Sequence, residues 1–288
     1  MVSVLRHSQY FDKDLSIVAE LDGEIVGHVL FSIFPIIVMN ENRLGAFLAP
    51  ICVDSKLQKQ GIGKMLIEEG HKRLKDKGVS VALLCGHESY YPKFGYINKM
   101  FAISGVKISI DTESIKTEDI TERSVRNEDL EWIKGQWGII HRDNRLALYP
   151  GDTIGQWFNH SLIYRSSMIY ENDELLGYIR YRNTYPLVVK EIIAVNCNAE
   201  KMIAYIMKEN LKKPIGDAIL SLSVDSGLKL FTNSKNIKIE EKIRTSNALM
   251  MKIIDEEDKL LSQYVQEAEL DNKNIGIIIF PPVMEIDD

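Results

Sequence analysis

The stretch from Ala46 to Cys85 constrains the fold most, because it reads as strand, glycine loop, helix and strand in unbroken succession. The apolar run Ala46 to Val53 contains Pro50, which has no N–H to give to a sheet ladder, so the pattern predicts a bulged or splayed strand. The loop Gln58-Lys59-Gln60-Gly61-Ile62-Gly63-Lys64 comes next. Residues 61–77 then carry Ile62, Met65, Leu66 and Leu74 at three- and four-residue steps with charges between them, and stop at Gly78. That is an amphipathic helix with a glycine end. Val79 to Cys85 is short, apolar and β-branched, as a buried strand is. Upstream, two apolar runs meet at Asp22-Gly23, a hairpin signal, so the chain opens as strand, strand, strand, helix, strand.

Glycines where a strand feeds a helix let backbone N–H groups approach an anion, and the helix dipole adds partial positive charge. A phosphate or diphosphate fits such a loop; on spacing alone, so does a plain strand-to-helix turn. The sequence excludes two better-known phosphate motifs. A P-loop requires GxxxxGK followed by Ser or Thr, and a dinucleotide fingerprint requires a third small residue where this chain has Leu66. Residues 56–77 are also basic, with seven Lys and Arg against three acids, as a solvated helix face can be.

The 288 residues, 45% hydrophobic and 26% charged, suit a folded protein of two domains. The longest apolar stretch, Val29 to Met39, is interrupted by Ser32 and Pro35 and falls short of the ~20 residues that cross a bilayer. The first residues show no apolar signal core, so cytoplasmic residence is the expectation. Cys52, Cys85 and Cys197 have no metal-ligand spacing and read as buried thiols, with no metal expected. Residues 1–115 balance 13 basic against 13 acidic residues, whereas 116–288 hold 22 against 28 and carry the whole net charge of -6. No segment has the basic excess of a nucleic-acid footprint.

The polar stretch at 107–120 marks a domain boundary near residue 117. Beyond it the pattern repeats coarsely: strand and helix in ITERSVRNEDLEWIKGQW, a hairpin in SSMIYENDELLGYIRYRN, a strand in KEIIAVN, a helix in AEKMIAYIMKEN and a strand in AILSLSV. Residues 255–288 form an acidic tail, ten acids against two lysines, in which a helix and then a strand at Ile275 to Phe280 are expected.

The run LAPICVDSKLQKQGIGKMLIEEGHKRLKDKGV followed by GHESYYPKFGY resembles the acetyl-CoA-binding core of the GNAT superfamily of N-acetyltransferases. Gln58, Gly61 and Gly63 match its Q/R-x-x-G-x-G/A signature, and Tyr91, Gly95 and Tyr96 match its Tyr, three residues, Gly, aromatic signature. The resemblance is close over roughly residues 5–105 and extends further only in the order of elements. It implies an α/β fold, a mixed and mostly antiparallel sheet flanked by helices, in two tandem copies: a catalytic domain at 1–116, a degenerate copy at 117–254 and the tail at 255–288.

The resemblance also implies an N-acetyltransferase that moves the acetyl group of acetyl-CoA to a primary amine in a ternary complex, the alternative being a CoA-binding sensor or scaffold. The backbone of Lys59, Gly61, Gly63 and Lys64, within the loop that includes Gln58, Gln60 and Ile62, would hold the diphosphate. The strand Ile51, Cys52, Val53 would pair with the pantetheine amides, and Tyr91 would protonate the departing thiolate. Tyr90 reads as packing. Glu88, His87 and Glu20 are candidate bases with surface or salt-bridge alternatives, and His28 reads as a semi-buried histidine. Expected partners are acetyl-CoA and an amine, which the acidic second half favours as a cation, with no nucleic acid and no membrane; self-association stays open. Two departures shape this reading. Met1 falls almost at the segment that an opening strand and helix usually precede, so the first domain is expected to lack that strand, and Ile275 to Phe280 is expected to cover the first domain or the interdomain seam. The second copy has Glu200 where a glycine loop would be, and it is expected to bind no CoA.

Overall fold

The computed structural model describes residues 2–141, 144–158, 163–196 and 198–284. The alternating run after Leu15 folds as strands Ser16–Leu21 and Glu24–Val38, antiparallel about Asp22 and Gly23, whose φ values of 52° and 85° are those of a type I′ hairpin turn. The third strand, Glu41–Val53, pairs antiparallel with the second. Between Phe31↔Leu48 and Val29↔Ile51 it spends one residue more than its partner, a bulge at Ala49-Pro50 where proline has no N–H to donate. Helix Ile62–Asp76 buries Ile62, Leu66, Ile67 and Leu74 and leads to strand Val81–Cys85, which pairs parallel to the third strand.

The next strand in this sheet comes from far along the chain. Leu249–Ile253 pairs antiparallel with Val81–Cys85 from Leu249↔Cys85 to Ile253↔Val81, and Ile97–Asn98 lies on its other side. Met250 belongs to the same apolar core as Phe31, Leu66, Leu84 and Tyr96. Helix Lys259–Leu270 follows, capped by Asp258, which accepts from the N–H groups of Leu260 and Leu261 and pairs with Arg43 Nε at 2.7 Å. One compact unit therefore comprises the chain up to Phe101 together with Thr245–Gly276.

The second unit comprises Ala102–Arg244 and the residues from Ile277 onward. Its sheet runs Ile120–Ser124, Tyr164–Glu171, Glu174–Arg182, Leu187–Ala194, Ile215–Leu220, Ser104–Asp111, Ile237–Arg244. Its parallel pair, Leu187–Ala194 with Ile215–Leu220, is bridged by helix Ala199–Glu209, as the helix Ile62–Asp76 bridges the parallel pair of the first sheet. Both sheets are mixed, mostly antiparallel and flanked by helices.

The units differ from the 1–116, 117–254 and 255–288 division expected from sequence. Ser104–Asp111 looked like the polar edge of a linker, yet its Val106, Ile108 and Ile110 alternate into the second core. Leu249–Ile253 and the helix of the acidic tail enter the first unit. Of the expected terminal strand, Ile275 to Ile279 are buried, but only Gly276–Ile277 is strand. Ile278 N–H donates to the Ala102 carbonyl at 2.8 Å, within the second unit. Cys52 and Cys85, expected to be buried, are exposed, because each lies near the end of its strand beyond the packed core; Cys197 lies outside the described residues. Among the described residues no helix is long and apolar enough to cross a membrane, and no group of three His, Cys, Asp or Glu gathers as metal ligands would.

Candidate active site

The site begins where two parallel strands part. Gly45, Ala46 and Phe47 pair with Val81, Ala82 and Leu83, and the parallel register ends there. The third strand continues to Val53, with Ile51, Cys52 and Val53 paired on their other side to Val29, His28 and Gly27. The pairing with Val81–Cys85 does not extend to Ile51–Val53, and on that stretch the Val53 carbonyl accepts from Gln58 Nε2.

The loop after Val53 is braced by its own side chains. Asp54 N–H donates to the Val26 carbonyl at 2.8 Å, and Asp54 Oδ1 accepts from Lys56 N–H at 2.8 Å. Gln58 Nε2 donates to the Val53 carbonyl at 3.2 Å, and Gln60 Nε2 to the Lys56 carbonyl at 3.4 Å. Lys59 and Gly61 take positive φ, 62° and 93°. Gly61 is the N-cap of helix Ile62–Asp76 and offers no side chain to cap it. The first intrahelical bond runs from Met65 N–H to the Gly61 carbonyl at 3.0 Å, so the N–H groups of Ile62, Gly63 and Lys64 precede the ladder and have no intrahelical acceptor. A Cβ on Gly61 would meet nothing within 4 Å, so what glycine supplies there is the left-handed backbone. Gly63 is different: a Cβ there would come within 2.6 Å of Tyr90 Oη. The Lys64 side chain reaches Glu68 at 3.8 Å on the exposed helix face.

Tyr91 opens a 3-10 turn, Tyr91–Phe94, just past the end of Val81–Cys85. Its ring is 7% exposed and packs against Gly86, with Tyr90 and Tyr96 edge-on at centroid distances of 5.3 and 5.9 Å. Burial first, and Tyr90 and Cys85 beside it, raise the Tyr91 pKa above the ordinary 10.0, so the phenol keeps its proton at neutral pH. Its hydroxyl makes no hydrogen bond among the described residues. Tyr96 donates to or accepts from His71 at 3.1 Å, and burial, with Lys252 adding to it, drives His71 down to about 4, so this histidine is neutral packing.

The three candidate bases and His28 are separately placed. Glu88 accepts from Asn247 Nδ2 at 3.0 Å. His28 meets Ser16 Oγ at 3.0 Å, and burial followed by Arg6 lowers its pKa. His87 and Glu20 are exposed. Sequence reasoning missed the contribution of residues 245–253. Besides Asn247, the Ala248 carbonyl accepts from Gly86 N–H at 2.9 Å, fixing the loop that leads to Tyr91. The run Ala248 to Ile254 is apolar, but the 117–254 division places it in the second domain. In the second unit, Glu200 sits in the first turn of helix Ala199–Glu209 and accepts from Asn236 Nδ2 at 2.7 Å, so a carboxylate occupies the turn where the first unit offers bare N–H groups.

The model of the acetyltransferase (GNAT) family matches residues 3–96. The chain is 34% identical over 82 residues to the uncharacterized N-acetyltransferase YjhQ of Escherichia coli K12, a match covering 28% of this chain and 45% of that protein. It is 34% identical over 75 residues to the uncharacterized N-acetyltransferase YhbS of the same strain, covering 26% and 44%. The chain thus spans less than half the length of these relatives. Among solved structures, a GCN5-related N-acetyltransferase from Kribbella flavida superposes with a TM-score of 0.58 at 17% identity, over 82% of this chain and 59% of that one. Eis1 from Mycobacterium abscessus gives 0.52 at 16%, over 88% and 70%. At such identities the likeness is one of fold.

Proposed function

Because its residues 3–96 belong to the GNAT family of acetyltransferases, we propose that this chain is an N-acetyltransferase whose first unit binds acetyl-CoA and passes the acetyl group to a primary amine. The observation that carries the reading is the helix whose bare first turn, at Gly61 to Lys64, opens beside the diverging strands Glu41–Val53 and Val81–Cys85. A diphosphate suits that turn: open space surrounds Gly61, no side chain caps it, and the helix dipole favours negative charge. The residues present therefore fit the group. The N–H groups of Ile62, Gly63 and Lys64 would hold the diphosphate, with Lys59 and Gly61 shaping the approach, and the strand Ile51–Val53 would take the pantetheine amides.

Acetyl-CoA, when bound, supplies an acyl group activated as a thioester. Tyr91 then has one task, to hold a proton for the sulfur that departs. Its burial suits this, since a phenol kept neutral can donate where an ionised one cannot. A strand N–H beside the site would stabilise the oxyanion. Replacing the phenol tests the assignment: Tyr91→Phe is expected to lower kcat by about 10²- to 10⁴-fold with little change in acetyl-CoA affinity. Equal turnover in the two proteins would remove Tyr91 from the chemistry.

A further inference from the structure

Gly63 lies in the helix's first turn, and the space its missing side chain leaves is taken by the tip of Tyr90. A Cβ at 63 would be 2.6 Å from Tyr90 Oη but 3.8 Å from Tyr90 Cζ and from Val53 Cγ2, so the hydroxyl alone reaches over the turn. The ring behind it is fixed. Tyr91 stands edge-on at 5.3 Å and Phe94 at 5.1 Å, leaving the phenol half-buried with its oxygen directed to the glycine loop. Among the described residues the Tyr90 hydroxyl makes no hydrogen bond. A phenol contributes one donor, and packing alone would be served by phenylalanine.

We infer that Tyr90 is a ligand of the CoA diphosphate, its hydroxyl donating to a phosphate oxygen held at the same time by the N–H groups of the first helical turn. The inference rests on the acetyl-CoA reading above and gives the cradle its one side-chain donor from a separate element. Burial also raises the Tyr90 pKa, so at neutral pH the oxygen carries the proton it would donate. Gly63 then has a second reason to be glycine. It lets backbone N–H and phenol converge on one anion, which any side chain at 63 would prevent.

The two adjacent tyrosines thereby divide the work: Tyr90 holds the cosubstrate and Tyr91 handles the proton. Tyr90→Phe keeps the ring and removes only the donor, and calorimetric titration of the full chain with three probes tests it. Affinity for acetyl-CoA, and for acetyl-dephospho-CoA, which keeps the diphosphate, is expected to fall about tenfold to a hundredfold, the worth of a hydrogen bond to a charged group. The affinity for S-acetylpantetheine, which has no diphosphate, is expected to stay at the wild-type value. Unchanged acetyl-CoA affinity, or an equal loss for S-acetylpantetheine, would overturn the assignment and leave Tyr90 a packing residue. A wild-type protein that binds none of the three would overturn the acetyl-CoA reading itself, an outcome distinct from failure of the variant alone.

Discussion

Met250 lies more than 150 positions along the chain from the glycine loop, yet it stands in the sheet that supports it. It is fully buried, pairs across to Leu84 on one side and Asn98 on the other, and packs in the core that contains Leu66 and Tyr91. Met250→Ala deletes a buried side chain that has no solvent to relax into, at a cost of about 2–5 kcal/mol. Against a domain stability of about 5–15 kcal/mol, that is a large fraction of what holds the first sheet together. At about 2–4 °C per kcal/mol, unfolding is expected to begin about 4–20 °C lower. Saturating acetyl-CoA at about a hundredfold over its Kd returns about 2.7 kcal/mol to the unit that binds it. Met207, fully buried in the other core, serves as the control, since Met207→Ala should loosen the second unit and gain less from the ligand. Hydrogen exchange read segment by segment separates the two: Met250→Ala should lose protection across Val81–Cys85, and Met207→Ala across Ile215–Leu220. If Met250→Ala left Val81–Cys85 protected and loosened Ile215–Leu220 instead, the strand Leu249–Ile253 would belong to the second unit and not to the first.

Gly63→Ala presses a methyl group on Tyr90 Oη, so it is expected to weaken acetyl-CoA binding in the wild-type background and to cost little more once Tyr90→Phe has cleared the contact, the non-additivity of a double-mutant cycle. His71, held down to about 4 from the usual 6.5, is neutral in the folded chain while the unfolded chain takes up its proton. Stability should therefore be full above about pH 6.5 and fall as pH drops toward 4, and urea unfolding of His71→Phe over that range should show a flatter acid limb.

Much of the first unit was legible because its signals are local. Asp22-Gly23, Pro50, the glycine loop and the amphipathic face of Ile62–Asp76 each dictate a conformation from neighbouring residues, and each is found where the pattern put it. What the sequence hid is non-local. Nothing in the run Ala248 to Ile254 says which of two sheets it joins, since a buried strand is apolar whatever its partner. Ser104–Asp111 concealed itself in the opposite way, because its outward Lys107, Ser109 and Asp111 made a half-buried strand look like a linker. The glycine loop is visible in the spacing of Gly61 and Gly63, whereas Tyr91 enters only through the resemblance. Tyr90 was legible in neither, because its approach to Gly63 depends on how the 3-10 turn sets two adjacent rings, and a Tyr-Tyr pair in a string of letters does not say which oxygen faces the helix.

The most direct test is to follow free thiol released from acetyl-CoA by the full-length chain over a panel of primary amines, with mass spectrometry of the amine products. Release is expected to depend on the added amine, to be matched mole for mole by acetylated product and to be reduced by Tyr91→Phe. Tight binding of acetyl-CoA with no amine-dependent release across polyamines, aminoglycosides and lysine peptides would contradict it, and would make the first unit a CoA-binding sensor built on an acetyltransferase fold.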